Sequence, residues 1–449
     1  MDYQQAILYI EQLVLIEQKR PSLPSSERIQ AFLSYYSSPQ DSFTSFHVAG
    51  TNGKGSTVAI LDSILRQGQF KVGRFTGPHI LRFNERFHVS GQPIADEELA
   101  RLVLDLKQKS EEFASLPTEP GALSWFEFLT ALAFFYFAQS GVDVAVIEVG
   151  LGGRFDATNS LRKLYATGIT NIELDHQKVL GSTLEEIAME KAGIIKTNVP
   201  IVTAANGTAL SVIAKRAIEM NANLTDSNEQ SMERSNKYAR ILTALSKIKN
   251  DLNCHGLYQY KNALTALCML TESGLVSLDT TNGTKAQITD NQMTIECALD
   301  GLQSFYWPGR FQLIESEQII LDGAHNPAGI KALRESLDHL FPDQHFHFVF
   351  ACYHDKDGLT MLSNLLKPGD RLYLVDLLAK RSFFPLSDLA EHAVALGIDA
   401  NVFPSVQDGL VKARNNRNKE QFIVATGSFF LLRELMQLLG WTTVEDRIN

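Results

Sequence analysis

Apolar residues recur at helical spacing over residues 3–16 and again over 27–36, where the pattern stops before Ser38 and Pro39. A β-prone run at 43–48 leads through a glycine-rich stretch into a helix-like run at 58–65, and a short strand is predicted at 71–76. A polar-faced helix at 97–113 and a loop at 116–121 precede residues 125–138, which are apolar on all sides and read as a buried helix. Residues 142–149 are almost continuously apolar, the signature of a parallel strand covered on both faces. A further strand is predicted at 164–170 and a helix at 183–193, whereas 221–237 is polar and turn-rich and reads as a loose excursion. Beyond Trp307-Pro308-Gly309 the pattern becomes regular, with strands at 318–322, 345–351, 371–375 and 421–425. Helices at 327–340, 356–366, 386–395, 405–417 and 428–439 fall between and after them, an alternation that implies a mostly parallel sheet.

The chain has 449 residues, more than one hydrophobic core usually supports, and the break near 307 divides it into a domain at 1–306 and a second at 307–449. Both read as α/β. A formal charge of −10 argues against a broad nucleic-acid surface. Cys254, Cys268, Cys297 and Cys352 form no C-x-x-C pair and no disulfide framework, which fits a reducing cytoplasm. The N-terminus lacks a basic segment followed by an apolar block, and the apolar run at 125–138 is too short to span a bilayer, so neither secretion nor a membrane is expected.

Residues 47–57 read H-V-A-G-T-N-G-K-G-S-T and lie where a predicted strand turns into a helix. Gly50, Gly53 and Gly55 let the backbone approach a ligand and aim N–H groups at anionic oxygens, with the helix N-terminus adding positive charge. Lys54 can reach terminal phosphates, and the hydroxyl of Ser56 or Thr57 can hold Mg²⁺. The spacing departs from the ordinary G-x-x-x-x-G-K-[ST], because Gly55 separates the lysine from the serine. Glu148 ends an apolar strand, where a carboxylate is costly unless paired or metal-bound, and reads as a Mg²⁺ ligand. His176 stands just past another strand, beside an Asp175 able to fix its tautomer for metal binding.

The stretch G-T-N-G-K-G-S-T resembles the P-loop of the folylpolyglutamate synthase and dihydrofolate synthase family, relatives of the Mur peptide ligases. The resemblance continues through G-P-H at 77–79, V-G-L-G-G-R-F-D-A-T-N at 149–159, D-H at 175–176, Y-Q-Y-K-N-A at 258–263, P-G-R at 308–310 and D-G-A-H-N-P at 322–327. It implies an N-terminal P-loop ATPase domain with a mostly parallel sheet, binding ATP and folate, and a C-terminal Rossmann-like glutamate-ligase domain. Thr51, Asn52 and the loop residues already named would bind ATP, with Asn262 at the adenine and Arg310 and Asp322 near ribose and phosphates. His325 would stand by the reacting groups. The folate would meet Arg82, Phe126 and Asp156, with an Asx cap of its own loop as the lesser reading of Asp156. Asp355, Lys356 and Ser428 would take the carboxylates of glutamate. Relatives carry a carbamylated lysine at the position of Lys191, which would supply a carboxylate-like ligand for a second Mg²⁺. Gly77 and Tyr258 depart from the family pattern, which has Ser and His there.

The activity implied is ATP-dependent ligation of L-glutamate to a folate or to dihydropteroate through an acyl phosphate, in a monomeric cytoplasmic enzyme of one-carbon metabolism. A Mur-type peptide ligase and a P-loop ATPase or kinase are the alternatives. Gly55 and the order of the later motifs disfavour the first, and glutamate-dependent ADP release separates the second.

Overall fold

The computed structural model describes residues 1–19, 26–117, 121–253, 255–278, 292–378, 383–444 and 446. Cys254 and part of the loop expected at 116–121 lie outside them. The chain forms two compact units: Met1–His79 with Phe83–Ile248 and Lys261–Phe305, and Ile80–Arg82 with Lys249–Tyr260 and Tyr306–Asn449.

In the first unit the strands β1 (Thr44–Ala49), β2 (Val72–Phe75), β3 (Phe87–Val89), β4 (Gln92–Pro93), β5 (Val144–Glu148), β6 (Leu164–Ile169), β7 (Ile201–Thr203) and β8 (Leu224–Asp226) form one sheet. Its order among the described residues is β4-β3-β2-β5-β1-β6-β7-β8. All neighbours from β2 to β8 run parallel, and only β3 and β4 are antiparallel. The register matters for function, because Val48 pairs with Glu148 and Ala49 with Ile169, while Phe75 pairs with Ile147. The segments that follow these residues therefore emerge together at the carboxyl edge of the sheet, where ligands of open α/β sheets gather.

The helix Trp125–Ser140 packs behind this edge with Phe128, Phe134 and Phe137 fully buried. Its start is fixed by a capping box in which the Ser124 hydroxyl accepts from the Glu127 N–H and the Glu127 carboxylate accepts from the Ser124 N–H.

In the second unit, after a small parallel pair β9 (Val276–Ser277) and β10 (Met293–Thr294) that belongs to the first, the strands are β11 (Gln312–Ile314), β12 (Ile319–Asp322), β13 (His347–Phe350), β14 (Arg371–Val375), β15 (Asp399–Phe403) and β16 (Ile423–Thr426). Their order is β11-β12-β16-β13-β14-β15, parallel throughout except for β11. Asp322 and Phe350 both pair with Thr426, which collects the turns after β12, β13 and β16 at one edge.

Several expectations need correction. Residues 221–237 are not a loose excursion: they hold β8, a helix at Glu229–Glu233 and the start of another at Asn236. Polar side chains there are used locally, since Asp226 accepts from the Asn228 N–H and from the Ser231 hydroxyl. The helix after the glycine-rich loop begins at Lys54, four residues before its apolar periodicity becomes visible. The hairpin β3–β4 and the strand β15 were not expected; β15 is a largely exposed edge strand with no alternation to reveal it. Among the described residues no helix is long and apolar enough to cross a membrane.

Candidate active site

The loop after β1 is held by its neighbours on every side. The Thr51 N–H donates to the Asn171 carbonyl at 2.9 Å and the Asn52 N–H to Asn171 Oδ1 at 2.9 Å, while the Thr170 hydroxyl donates to the Asn52 carbonyl at 2.6 Å. Gly53, with φ 87°, is the left-handed residue that turns the chain into the helix Lys54–Gln67. A Cβ on it would stand 2.4 Å from Asn262 Oδ1, and one on Gly50 would stand 1.7 Å from Thr170 Oγ1. Both positions therefore exclude side chains on space as well as on backbone geometry. The result is a helix N-terminus with glycine-lined amides, suited to an anion.

Two amines converge on this loop. Lys54 Nζ donates to the carbonyls of Gly50 at 3.0 Å and Thr51 at 3.1 Å, and Lys191 Nζ donates to the same Gly50 oxygen at 2.8 Å. Lys191 comes from the helix Leu184–Ala192 and is only 4% exposed. Burial, reinforced by the charge of Lys54, pulls its amine down to about 7, against weaker opposing attraction from Asp175 and Asp156. The Ser56 and Thr57 side chains are buried under the loop, and Thr57 Oγ1 has no hydrogen-bond partner among the described residues.

Glu148 closes β5 as a buried carboxylate whose Oε2 accepts from the Gly77 N–H at 3.1 Å. Gly77 also makes room for Arg86: a Cβ there would meet the guanidinium at 2.5 Å. Arg86 donates from Nε to His79 Nδ1 at 2.9 Å and lies over the Phe83 and Trp125 rings, 5.5 Å from each centroid. His176 is the left-handed residue before a one-turn helix, and its side chain is 45% exposed; its N–H donates to Asp175 Oδ1 at 2.8 Å.

Beside Glu148 opens a cavity of about 640 Å³ lined by Phe75, Trp125, Phe126, Leu151, Phe155 and Asp156 among others. Phe126 stacks on Phe75 and lies close over Gly150. The mixture of aromatic rings with Arg28, Arg86, Glu127 and Asp156 suits a flat heterocycle bearing donors and acceptors. Arg28, which sequence reasoning missed, donates from Nε to Glu127 Oε2 at 2.7 Å. Its partner lies 99 residues away, and no local signal marks it. Arg82 is not among the residues lining this cavity and falls in the segment Ile80–Arg82 that clusters with the second unit. Asp156 does line it, and it is also the cap of its own loop, accepting from the N–H groups of Leu151 at 2.9 Å and Thr158 at 3.0 Å.

In the second unit Asp322 is buried and accepts from the Tyr258 hydroxyl at 2.5 Å, the Phe311 N–H at 2.9 Å and the Ala324 N–H at 2.8 Å. Burial raises its carboxyl, and nearby Arg310 together with these donors opposes the rise. The donor on Phe311 holds a left-handed residue (φ 49°), which sets the turn carrying Arg310; the guanidinium lies 4.8 Å over the Phe429 ring. His325 is bound through Nδ1 to the Gly323 carbonyl at 2.9 Å, so the neutral ring carries its lone pair on Nε2. Ser428 is buried and caps the helix Phe429–Leu438 by accepting from the Phe430 N–H at 3.1 Å. Asp355, exposed, and Lys356 lie in the turn between β13 and the helix Gly358–Leu365.

A family model, the glutamate ligase domain of Mur ligases, matches residues 309–429. The dihydrofolate synthase/folylpolyglutamate synthase of Bacillus subtilis is 34% identical over 433 residues, which cover 94% of this chain and 95% of that protein. Among solved structures, Mycobacterium tuberculosis folylpolyglutamate synthase complexed with ADP and AMPPCP gives a TM-score of 0.80 at 27% identity, covering 98% of this chain and 99% of that one. Escherichia coli FolC in complex with DHPP and ADP gives 0.76 at 27% identity, covering 98% of each chain.

The buried amine of Lys191 carries a consequence for stability. Its folded value near 7 lies below the unfolded value of 10.5, so between those limits the unfolded chain binds more protons and stability rises with pH. In buffer free of carbon dioxide, denaturant titrations from pH 7 to 10 should show that rise in the native protein and a flatter profile in Lys191→Met. Identical slopes would place the amine in an ordinary environment.

Proposed function

The chain belongs to the folylpolyglutamate synthase/dihydrofolate synthase family, and we infer that it catalyses ATP-dependent ligation of L-glutamate to a folate substrate. The observation that carries this reading is the conjunction, within one unit, of a lysine-bearing anion cradle and a large aromatic cavity along the same sheet edge.

An amide does not form from a carboxylate without activation. One oxygen of the folate carboxylate attacks the γ-phosphorus of ATP, the bond to the β–γ bridging oxygen breaks, and ADP leaves. The glutamate amine, having lost a proton, attacks the acyl carbon and expels phosphate. The loop amides and Lys54 receive the phosphates, with Thr51, Asn52 and Gly55 on the same turn and Asn262 against Gly53. We assign Arg310 and Asp322 to the nucleotide, and His325 to the amine proton, since its Nε2 carries the lone pair. Phe126 and Asp156 are assigned to the folate. Asp355, Lys356 and Ser428 remain our candidates for the glutamate carboxylates, Ser428 only through a hydroxyl already used as a cap.

The donors present suit a hard divalent ion: the Ser56 and Thr57 hydroxyls, the Glu148 carboxylate and the His176 ring would hold Mg²⁺. Among the described residues no three His, Cys, Asp or Glu side chains converge to bind a metal, so hydroxyls, water, phosphate oxygens or a modified lysine would complete the set. Bound Mg²⁺ would neutralise charge on the transferring phosphoryl group. Lys191 is suited to modification, because only an uncharged amine adds carbon dioxide, releasing a proton to give a carbamate, and burial holds this amine near neutrality. The free cysteines Cys268, Cys297 and Cys352 support a reducing, cytoplasmic setting, and a monomer is our working reading.

Purified protein should release ADP from ATP only when glutamate and either dihydropteroate or tetrahydrofolate are both supplied; release indifferent to glutamate would indicate an ATPase or kinase instead. Lys54→Ala should lower turnover by about a hundredfold or more while leaving the circular dichroism spectrum unchanged, since it removes a charge aimed at transferring phosphate. Wild-type turnover in the folded variant would refute the cradle.

Lys191→Ala separates two roles by charge. If the working form is the carbamate, acetate or formate should restore part of its activity; recovery with ethylamine and not with carboxylates would identify the lysine as a cation.

A further inference from the structure

His47 is a titratable group in the middle of β1 that the mechanism above does not use, and it is fully buried. Its Nε2 lies 2.8 Å from Thr158 Oγ1, and that hydroxyl donates to Asp156 Oδ1 at 2.5 Å. We infer that His47 and Thr158 are positioning residues that fix Asp156 against the heterocycle of the folate substrate, an inference that rests on the assignment of Asp156 to that substrate.

A threonine hydroxyl has one proton. With that proton given to the carboxylate, the imidazole must be the donor to Thr158, so His47 is the Nε2–H tautomer and its Nδ1 holds the lone pair. Nδ1 has no partner among the described residues. Burial, with Lys196 nearby, lowers the ring to about 3, so it stays neutral across the working range.

An apolar residue at position 47 would pack as well. It would also leave the Thr158 hydroxyl free to rotate away, and Oδ1 of Asp156 would then lose that donor while keeping the Thr158 N–H. The other oxygen is tied to the Leu151 N–H. His47, Thr158 and Leu151 together hold the carboxylate plane at the cavity wall, oriented for paired N–H donors, as a cyclic amidine presents them; burial raises this carboxyl, and the donors from Thr158, Leu151 and Gly150 oppose the rise. The charged groups facing this unit are Lys191 towards Asp156 and Lys196 towards His47, while Glu148 and Glu190 line the same cavity.

The test compares His47→Leu with His47→Gln, whose amide can replace the lost N–H, and Thr158→Val with Thr158→Ser. The Michaelis constants for the folate substrate and for ATP are measured from pH 6 to 8, with melting temperature as a control for folding. His47→Leu and Thr158→Val should raise KM for the folate about tenfold while leaving that for ATP within about twofold, and the Gln and Ser variants should recover most of the loss. In Thr158→Val the folate KM should climb further as pH falls, because a carboxyl deprived of a donor to its charged form protonates more readily. Equal damage by His47→Gln and His47→Leu, or parallel changes in both Michaelis constants, would overturn the inference. Asp156→Asn is the control for the premise: if it leaves the folate KM unchanged, the assignment of Asp156 fails and the relay falls with it. If it raises that KM while Thr158→Val does not, the relay alone fails.

Discussion

One carbonyl oxygen, that of Gly50, accepts from the amines of both Lys54 and Lys191. Burial, and after it repulsion from the neighbouring Lys54 ammonium, weakens the hold of the deeper amine, Lys191, on its proton. The sheet edge, the crowding of Thr170 against Gly50 and the hydrogen bonds that the Thr51 and Asn52 N–H groups donate to Asn171 all fix the position of that carbonyl. What results is a loop with two amines on one carbonyl and a helix N-terminus beside it, an arrangement suited to an anion.

The same economy appears at Glu148. A carboxylate at the end of an apolar strand costs solvation, and here the Gly77 N–H helps to offset it. The absence of a side chain at Gly77 removes a hydroxyl from the neighbourhood of Glu148 and at the same time admits the guanidinium of Arg86. In the space that Gly77 leaves, Arg86 lies over Trp125 and forms part of the cavity wall.

The alternation of strands and helices was legible because buried parallel strands are apolar throughout and helices keep their periodicity. It failed at the exposed edge strand β15, where burial no longer dictates composition, at the hairpin β3–β4, whose strands are too short to show a period, and over residues 221–237, where the Asp226 carboxylate accepts from the Asn228 N–H and the Ser231 hydroxyl. For the site, glycines and the lysine between them were visible because they are contiguous. Arg28 with Glu127 and His47 with Thr158 were not, because each pair is made by chain segments about a hundred residues apart and neither partner is unusual alone.

Tyr258 shows how a motif can be broken in letters and kept in physics. The family pattern has histidine there, and the tyrosine hydroxyl donates to Asp322, the residue that also holds the turn bearing Arg310. What the position must supply is a donor to a buried carboxylate; tyrosine supplies it without a group that titrates near neutrality, and burial beside Asp322 pushes its own ionisation well above the ordinary tyrosine range. A histidine in the same place would make the support of Asp322 depend on its tautomer and charge. With tyrosine the donor is present at every pH at which the carboxylate needs it.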